Sequence, residues 1–113
     1  MKVLHLTLKA KWYDMIESGE KKEEYRDIKP FWVTRLCYTH NGCIGGDLMD
    51  KHKVVAYTFK DFTHVHFARG GHFHSSLPQM TLEISGIELS TGNADWGAEP
   101  NKEYFVIKLG EKI

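Results

Sequence analysis

Val3 to Leu8 alternates strictly, with Val3, His5 and Thr7 on one side and Leu4, Leu6 and Leu8 on the other. That period of two predicts a strand with one buried face. Ala10 to Ser18 changes to helical spacing, with Trp12, Met15 and Ile16 on one stripe and Gly19 placed as the left-handed stop. Trp12 shares that stripe with Ile16 and is expected in the core. Lys22 to Arg26 reads as a second strand, and Pro30 suits the first position of one helical turn through Phe31, Trp32 and Arg35.

Beyond this point the signals are short and turn-punctuated. Asn41 to Lys53 carries Gly42, Gly45 and Gly46 and reads as a long surface loop. Strands are expected at Val54 to Phe59, Thr63 to Phe67, Met80 to Glu88 and Tyr104 to Leu109, separated by Gly70-Gly71, Gly92-Asn93 and Gly97 to Asn101. One main N-terminal helix, short helical turns and mostly short strands make an α+β domain spanning 1–113. Strand should exceed helix. Helices do not alternate with strands throughout, which disfavours a parallel α/β sheet; a small closed or half-closed mixed β-barrel fits better.

Composition narrows the function classes. The 113 residues suit one domain, and 42% hydrophobic with 27% charged residues is ordinary for a globular chain. Fifteen basic and fifteen acidic residues cancel. A non-specific duplex binder needs several phosphate contacts and so a basic surface, which this balance does not supply. Any nucleic-acid role must rest on a local pocket. No apolar stretch approaches bilayer length, and Met1 to Trp12 lacks the long apolar core of a signal peptide. No membrane partner is expected, and the expected state is a cytoplasmic monomer with reduced thiols at Cys37 and Cys43.

The chemistry concentrates at the end of the first helix, in Gly19-Glu20-Lys21-Lys22-Glu23-Glu24-Tyr25-Arg26. Side chains two apart on a strand share a face, so Glu24 and Arg26 point the same way, and Lys21 can swing over that face from the turn. A carboxylate beside a guanidinium offers acceptors and a donor fork, which suits a nucleobase edge or a phosphate. Tyr25 and Trp32 supply aromatic planes nearby for stacking. The competing reading is a solvated ion pair on an exposed strand.

Gly19, Lys21, Glu24 and Arg26 match the Gly-x-Lys-x-x-Glu-x-Arg pattern, and the segment resembles the ASCH domain of the PUA-like superfamily. Lys29-Pro30-Phe31-Trp32, Arg35-Leu36, Trp96-Gly97-Ala98-Glu99 and the closing Tyr104 to Ile107 extend the resemblance to small stand-alone bacterial and phage members. The resemblance implies a PUA-like barrel that binds RNA or a modified nucleoside through Lys21, Glu24 and Arg26, with Trp32 and Arg35 as flanking contacts. It also implies an alternative, hydrolysis of N4-acylated cytidine or of RNA. The amidohydrolase members use a lysine, a threonine and a glutamate: Lys21 falls on the lysine, but Glu24 stands where the threonine nucleophile would be. Glu83 and Glu88 are candidates for the glutamate. A third reading is a protein-interaction module without a nucleotide ligand. Breaking the Lys21, Glu24, Arg26 set is expected to weaken binding far more than the fold.

Two histidine pairs, His64-Val65-His66 and His72-Phe73-His74, could in principle line a metal site. No acidic or thiolate residue is patterned with them, and they read as polar positions of a hairpin. Cys37, His40 and Cys43, closed by His64 or His66, form a second zinc candidate, although structural zinc sites usually show two close ligand pairs. No metal and no cofactor are expected.

Overall fold

The computed structural model describes residues 1–39, 57–70 and 76–113. Strand β1 (Val3–Leu8) leads into helix α1 (Ala10–Glu17), strand β2 (Glu23–Arg26) and helix α2 (Pro30–Leu36). Strands β3 (Cys37–Thr39), β4 (Tyr57–Phe59), β5 (His64–Arg69) and β6 (Gln79–Thr91) follow. A 3₁₀ turn at Ala94–Trp96 then precedes β7 (Glu103–Lys112). Strand outweighs helix among the described residues, as the pattern predicts. Helix α2 runs seven residues rather than one turn because Val33 and Leu36, three apart, both bury. The short strand β3, which the sequence pattern does not announce, pairs antiparallel with β4.

The main sheet has five strands in the order β1-β5-β6-β7-β2, with β1 parallel to β5 and the other pairings antiparallel. It is a curled, half-barrel mixed sheet. The curl has a local cause in β6, the longest strand. Its first half pairs with β5, its second half with β7, and its pairing with β7 shifts register between Leu82 and Ile84 and again between Ile84 and Gly86. Such irregularities bend a strand and increase its twist.

Leu4, Leu6 and Leu8 of β1 face inward, as their alternation requires, and meet Tyr13 and Ile16 of α1, Val33 and Leu36 of α2, and Phe67, Phe105 and Ile107 of the sheet. Tyr25, Ala98, Tyr104 and Val106 form a smaller cluster with Trp96 packed against it. No helix of the described residues is long and apolar enough to cross a membrane.

The two outer strands of the curled sheet, β1 and β2, are joined by a side chain. Arg26 of β2 donates from Nη2 to the Thr7 carbonyl of β1 at 3.0 Å. One step back on the same free edge, Arg35 of α2 donates to the His5 carbonyl at 3.1 Å. The Leu8 carbonyl faces the other way and accepts from the Gly70 amide at 2.8 Å. Arginine side chains thus cover carbonyls of a strand edge that no other strand pairs among the described residues.

Candidate functional site

Helix α1 stops where the sequence indicates. Gly19 takes φ +86°, and the Lys21 amide donates back to the Met15 carbonyl at 2.9 Å. This tight turn delivers Lys21 to the start of β2, where Glu24 and Arg26 share a face. The three side chains converge. Lys21 Nζ lies 3.0 Å from Glu24 Oε1, and Arg26 Nη2 lies 2.9 Å from Glu24 Oε2, so one carboxylate holds two cations. Lys21 is 3% exposed and Glu24 4%, while the Arg26 side chain keeps 20% of its surface open.

Lys21 Nζ also donates to the Trp96 carbonyl at 2.7 Å and lies 4.7 Å from the Trp12 ring centre and 5.1 Å from that of Tyr25. Burial pushes the Lys21 pKa down, and the Glu24 carboxylate opposes that by stabilising the ammonium. Two of its three N–H groups meet oxygen acceptors and the nitrogen sits against aromatic faces, an arrangement suited to an ammonium. Arg26 Nε is buried and has no hydrogen-bond partner among the described residues.

These groups floor an open cleft of about 540 Å³ between β1, β2 and the turn after β6. Trp12, Trp96, Gly97 and Tyr104 form aromatic and backbone walls, and Lys9, Asp27, Glu99 and Lys102 add polar groups. Lys102 Nζ holds Asp27 Oδ1 at 3.1 Å, and this hydrogen bond keeps the Asp27 carboxyl below the usual carboxylate range. Tyr25 secures the wall from behind: its hydroxyl donates to Glu23 Oε1 at 2.8 Å and accepts from the Asn93 amide at 2.9 Å. Burial pushes its pKa up to about 12.

Trp32 and Arg35 lie outside this cleft. They line a second depression of about 170 Å³ with His5, Leu6 and Phe31, and Thr7 and Arg26 border both hollows. The Arg26 guanidinium stands 5.1 Å from the Trp32 ring centre, so Trp32 touches the site through Arg26.

Several expectations need correction. Trp12 is not a core residue: Tyr13 and Ile16 are the buried residues of α1, and Trp12 turns its ring to the cleft. Glu83 and Glu88 are not in the cleft, and Glu88 pairs with Lys108 at 3.0 Å elsewhere on the sheet. The carboxylate in contact with Lys21 and Arg26 is Glu24, and Asp27 and Glu99 also line the cleft. Lys21 and Glu24 are buried, so removing one partner strands the other and costs the fold as well as any ligand. Trp96 and Glu99 enter the sequence reading only through the resemblance, and Lys102 not at all, because the turn after β6 that brings them to the cleft lies 75 residues from Lys21 at Trp96.

His64 and His66 do share a side of β5, since Val65 between them is buried. Both ring nitrogens of His66 are engaged, by Thr81 Oγ1 at 2.8 Å and Gln79 Oε1 at 2.6 Å, and His64 Nδ1 meets Thr63 Oγ1 at 2.8 Å. Cys37 is buried, and burial pushes its thiol up to about 11. His40, Cys43, His72, His74 and strand positions 54–56 lie outside the described residues. Among the described residues no three His, Cys, Asp or Glu side chains are grouped to hold a metal.

In comparisons with family models, curated proteins and solved structures, none matches this chain.

Proposed function

We propose that the cleft binds a nucleotide unit of RNA, or a modified nucleoside, and that the curled sheet is a PUA-like barrel of the ASCH type. The observation that carries this reading is the convergence of Lys21, Glu24 and Arg26 on the floor of an open hollow walled by Trp12 and Trp96. Shielding three charges from water is costly, and a hydrophobic substitute of similar volume often stabilises as well or better. A buried charged cluster with a perturbed lysine in a cleft is therefore better explained by a ligand than by stability. Arg26 supplies a partly open cation for an acceptor edge or phosphate, Glu24 accepts from an exocyclic amine, and Trp12 and Trp96 line the cleft with aromatic rings. Lys102 and Lys9 supply further cations for a phosphate at the rim.

A hydrolase is the second reading, favoured by the lowered pKa of Lys21, which eases its use as a base. Against it, the ammonium is held by Glu24 and the Trp96 carbonyl, and Glu24 occupies the position of the threonine nucleophile.

The test is titration with short single-stranded RNA and with cytidine derivatives, followed by the indole N–H signals of the three tryptophans and by product analysis. The Trp12 and Trp96 signals should move on saturation. Arg26→Lys keeps the charge but loses the fork, and should cost about tenfold in affinity. If no probe binds, the reading falls and a protein-interaction role replaces it.

A further inference from the structure

Phe31 is 64% exposed, an unusual place for a phenylalanine, and its ring stands edge-on at 90° to Trp32 with centres 4.8 Å apart. Two perpendicular rings make a corner, with an open face on Phe31 and a second wall from Trp32. That corner lines the smaller depression, whose remaining wall includes Arg35 and Arg26. The main cleft lies on the other side of Arg26 and Thr7, which border both hollows. One guanidinium therefore divides the two: it pairs with Glu24 in the cleft and stands against the Trp32 ring in the corner. Each hollow has an aromatic plane and a cation, and a cation stands on the partition.

We infer that the site takes two consecutive nucleotides of a single strand, one base in the main cleft and the next against Phe31, with the linking phosphate over Arg26 and Arg35. The inference rests on the nucleotide reading above and adds that the ligand is an oligonucleotide rather than a lone nucleoside. The chemistry follows the spacing of the groups. A base needs a flat apolar face: Phe31 exposes one in the smaller depression, and Trp12 and Trp96 line the main cleft across the partition. The phosphodiester between two bases needs a cation where the strand crosses, and there Arg26 keeps 20% of its side chain open. Arg35 donates only from Nη2 to the His5 carbonyl among the contacts described, which leaves other N–H groups of its fork to meet the phosphate.

The experiment compares a nucleoside 5′-monophosphate, a dinucleotide and a six-nucleotide single-stranded RNA on the whole chain by calorimetric titration. The dinucleotide should bind about ten- to a hundredfold more tightly than the monophosphate, as one added stacked base and phosphate require. Phe31→Ala should remove most of that gain and leave monophosphate affinity within about twofold. Arg35→Gln should do the same in smaller measure and reduce the salt dependence of dinucleotide binding. Phe31 is exposed, so its removal should leave the melting temperature close to that of the wild type.

Equal affinity for monophosphate and dinucleotide, or a dinucleotide gain that survives Phe31→Ala and Arg35→Gln, overturns the two-unit site and leaves the single-nucleotide reading standing. Failure of all three ligands to bind removes both.

Discussion

Lys21 and Glu24 form an ion pair at 3.0 Å on the floor of an open cleft, yet both side chains are almost wholly shielded from water. Their shield is the Trp12 and Tyr25 rings, together with the backbone of the turn that ends β6. The pair therefore belongs at once to the fold and to the candidate site, and variants must be chosen to separate the two roles.

Glu24 serves two cations and Lys21 only one anion, so their removal should differ. Glu24→Gln leaves Lys21 and Arg26 facing each other without a counter-charge, and should cost roughly 3–5 kcal/mol. Lys21→Met removes its own desolvation cost and leaves Glu24 paired with Arg26, so it should cost clearly less. Thermal melts of both variants decide this; a larger loss for Lys21→Met would mean that the Trp96 carbonyl contact, not the ion cluster, dominates.

The pH dependence of Lys21 has an unusual sign. Its pKa is lowered on folding, mainly by burial, so between the folded and unfolded values the unfolded chain holds more protons. Stability of the wild type relative to Lys21→Met should therefore rise as pH climbs through the folded pKa toward the unfolded lysine value of about 10.4. Chemical denaturation of both proteins across that range measures it. A relative stability that falls instead would mean that pairing with Glu24 outweighs burial.

Asp27 behaves in the opposite sense. Its carboxyl is held low first by the Lys102 hydrogen bond, so its contribution is whole above about pH 4 and drains as pH falls through the lowered value. Asp27→Asn should lower stability in the neutral region and flatten the acid limb, so that the two proteins converge at low pH. Denaturant melts between about pH 5 and 2 check this, and an unaltered acid limb would remove Asp27 as a source.

Gly92 has no room for a side chain. An added Cβ would stand 2.6 Å from Ala98 Cβ and 2.7 Å from the Tyr25 ring. Gly92→Ala should cost roughly 1–3 kcal/mol through overpacking. It should also displace the segment that presents the Trp96 carbonyl to Lys21, so any cleft ligand should bind more weakly even where the protein remains folded. Melting temperature and affinity are measured together; full retention of both would show that the wall yields freely.

Local alternation was enough to set the faces of β1, with Leu4, Leu6 and Leu8 inward, because a strand offers each residue only two sides. Gly19 marked the end of α1, since the left-handed turn there is cheap only without a Cβ. The spacing of Glu24 and Arg26 put them on one face before any contact was known. These were short-range questions of backbone geometry. Whether that face was wet or buried was a long-range question, decided when the turn near Trp96 closed over Lys21 and Arg26 reached across to Thr7. Trp12 shows the limit most directly: its helical position allowed either core or cleft, and only the packing of Gly97 against its ring placed it at the cleft. A side chain's position along an element follows from its neighbours in sequence, but its solvent environment depends on segments brought together from far along the chain.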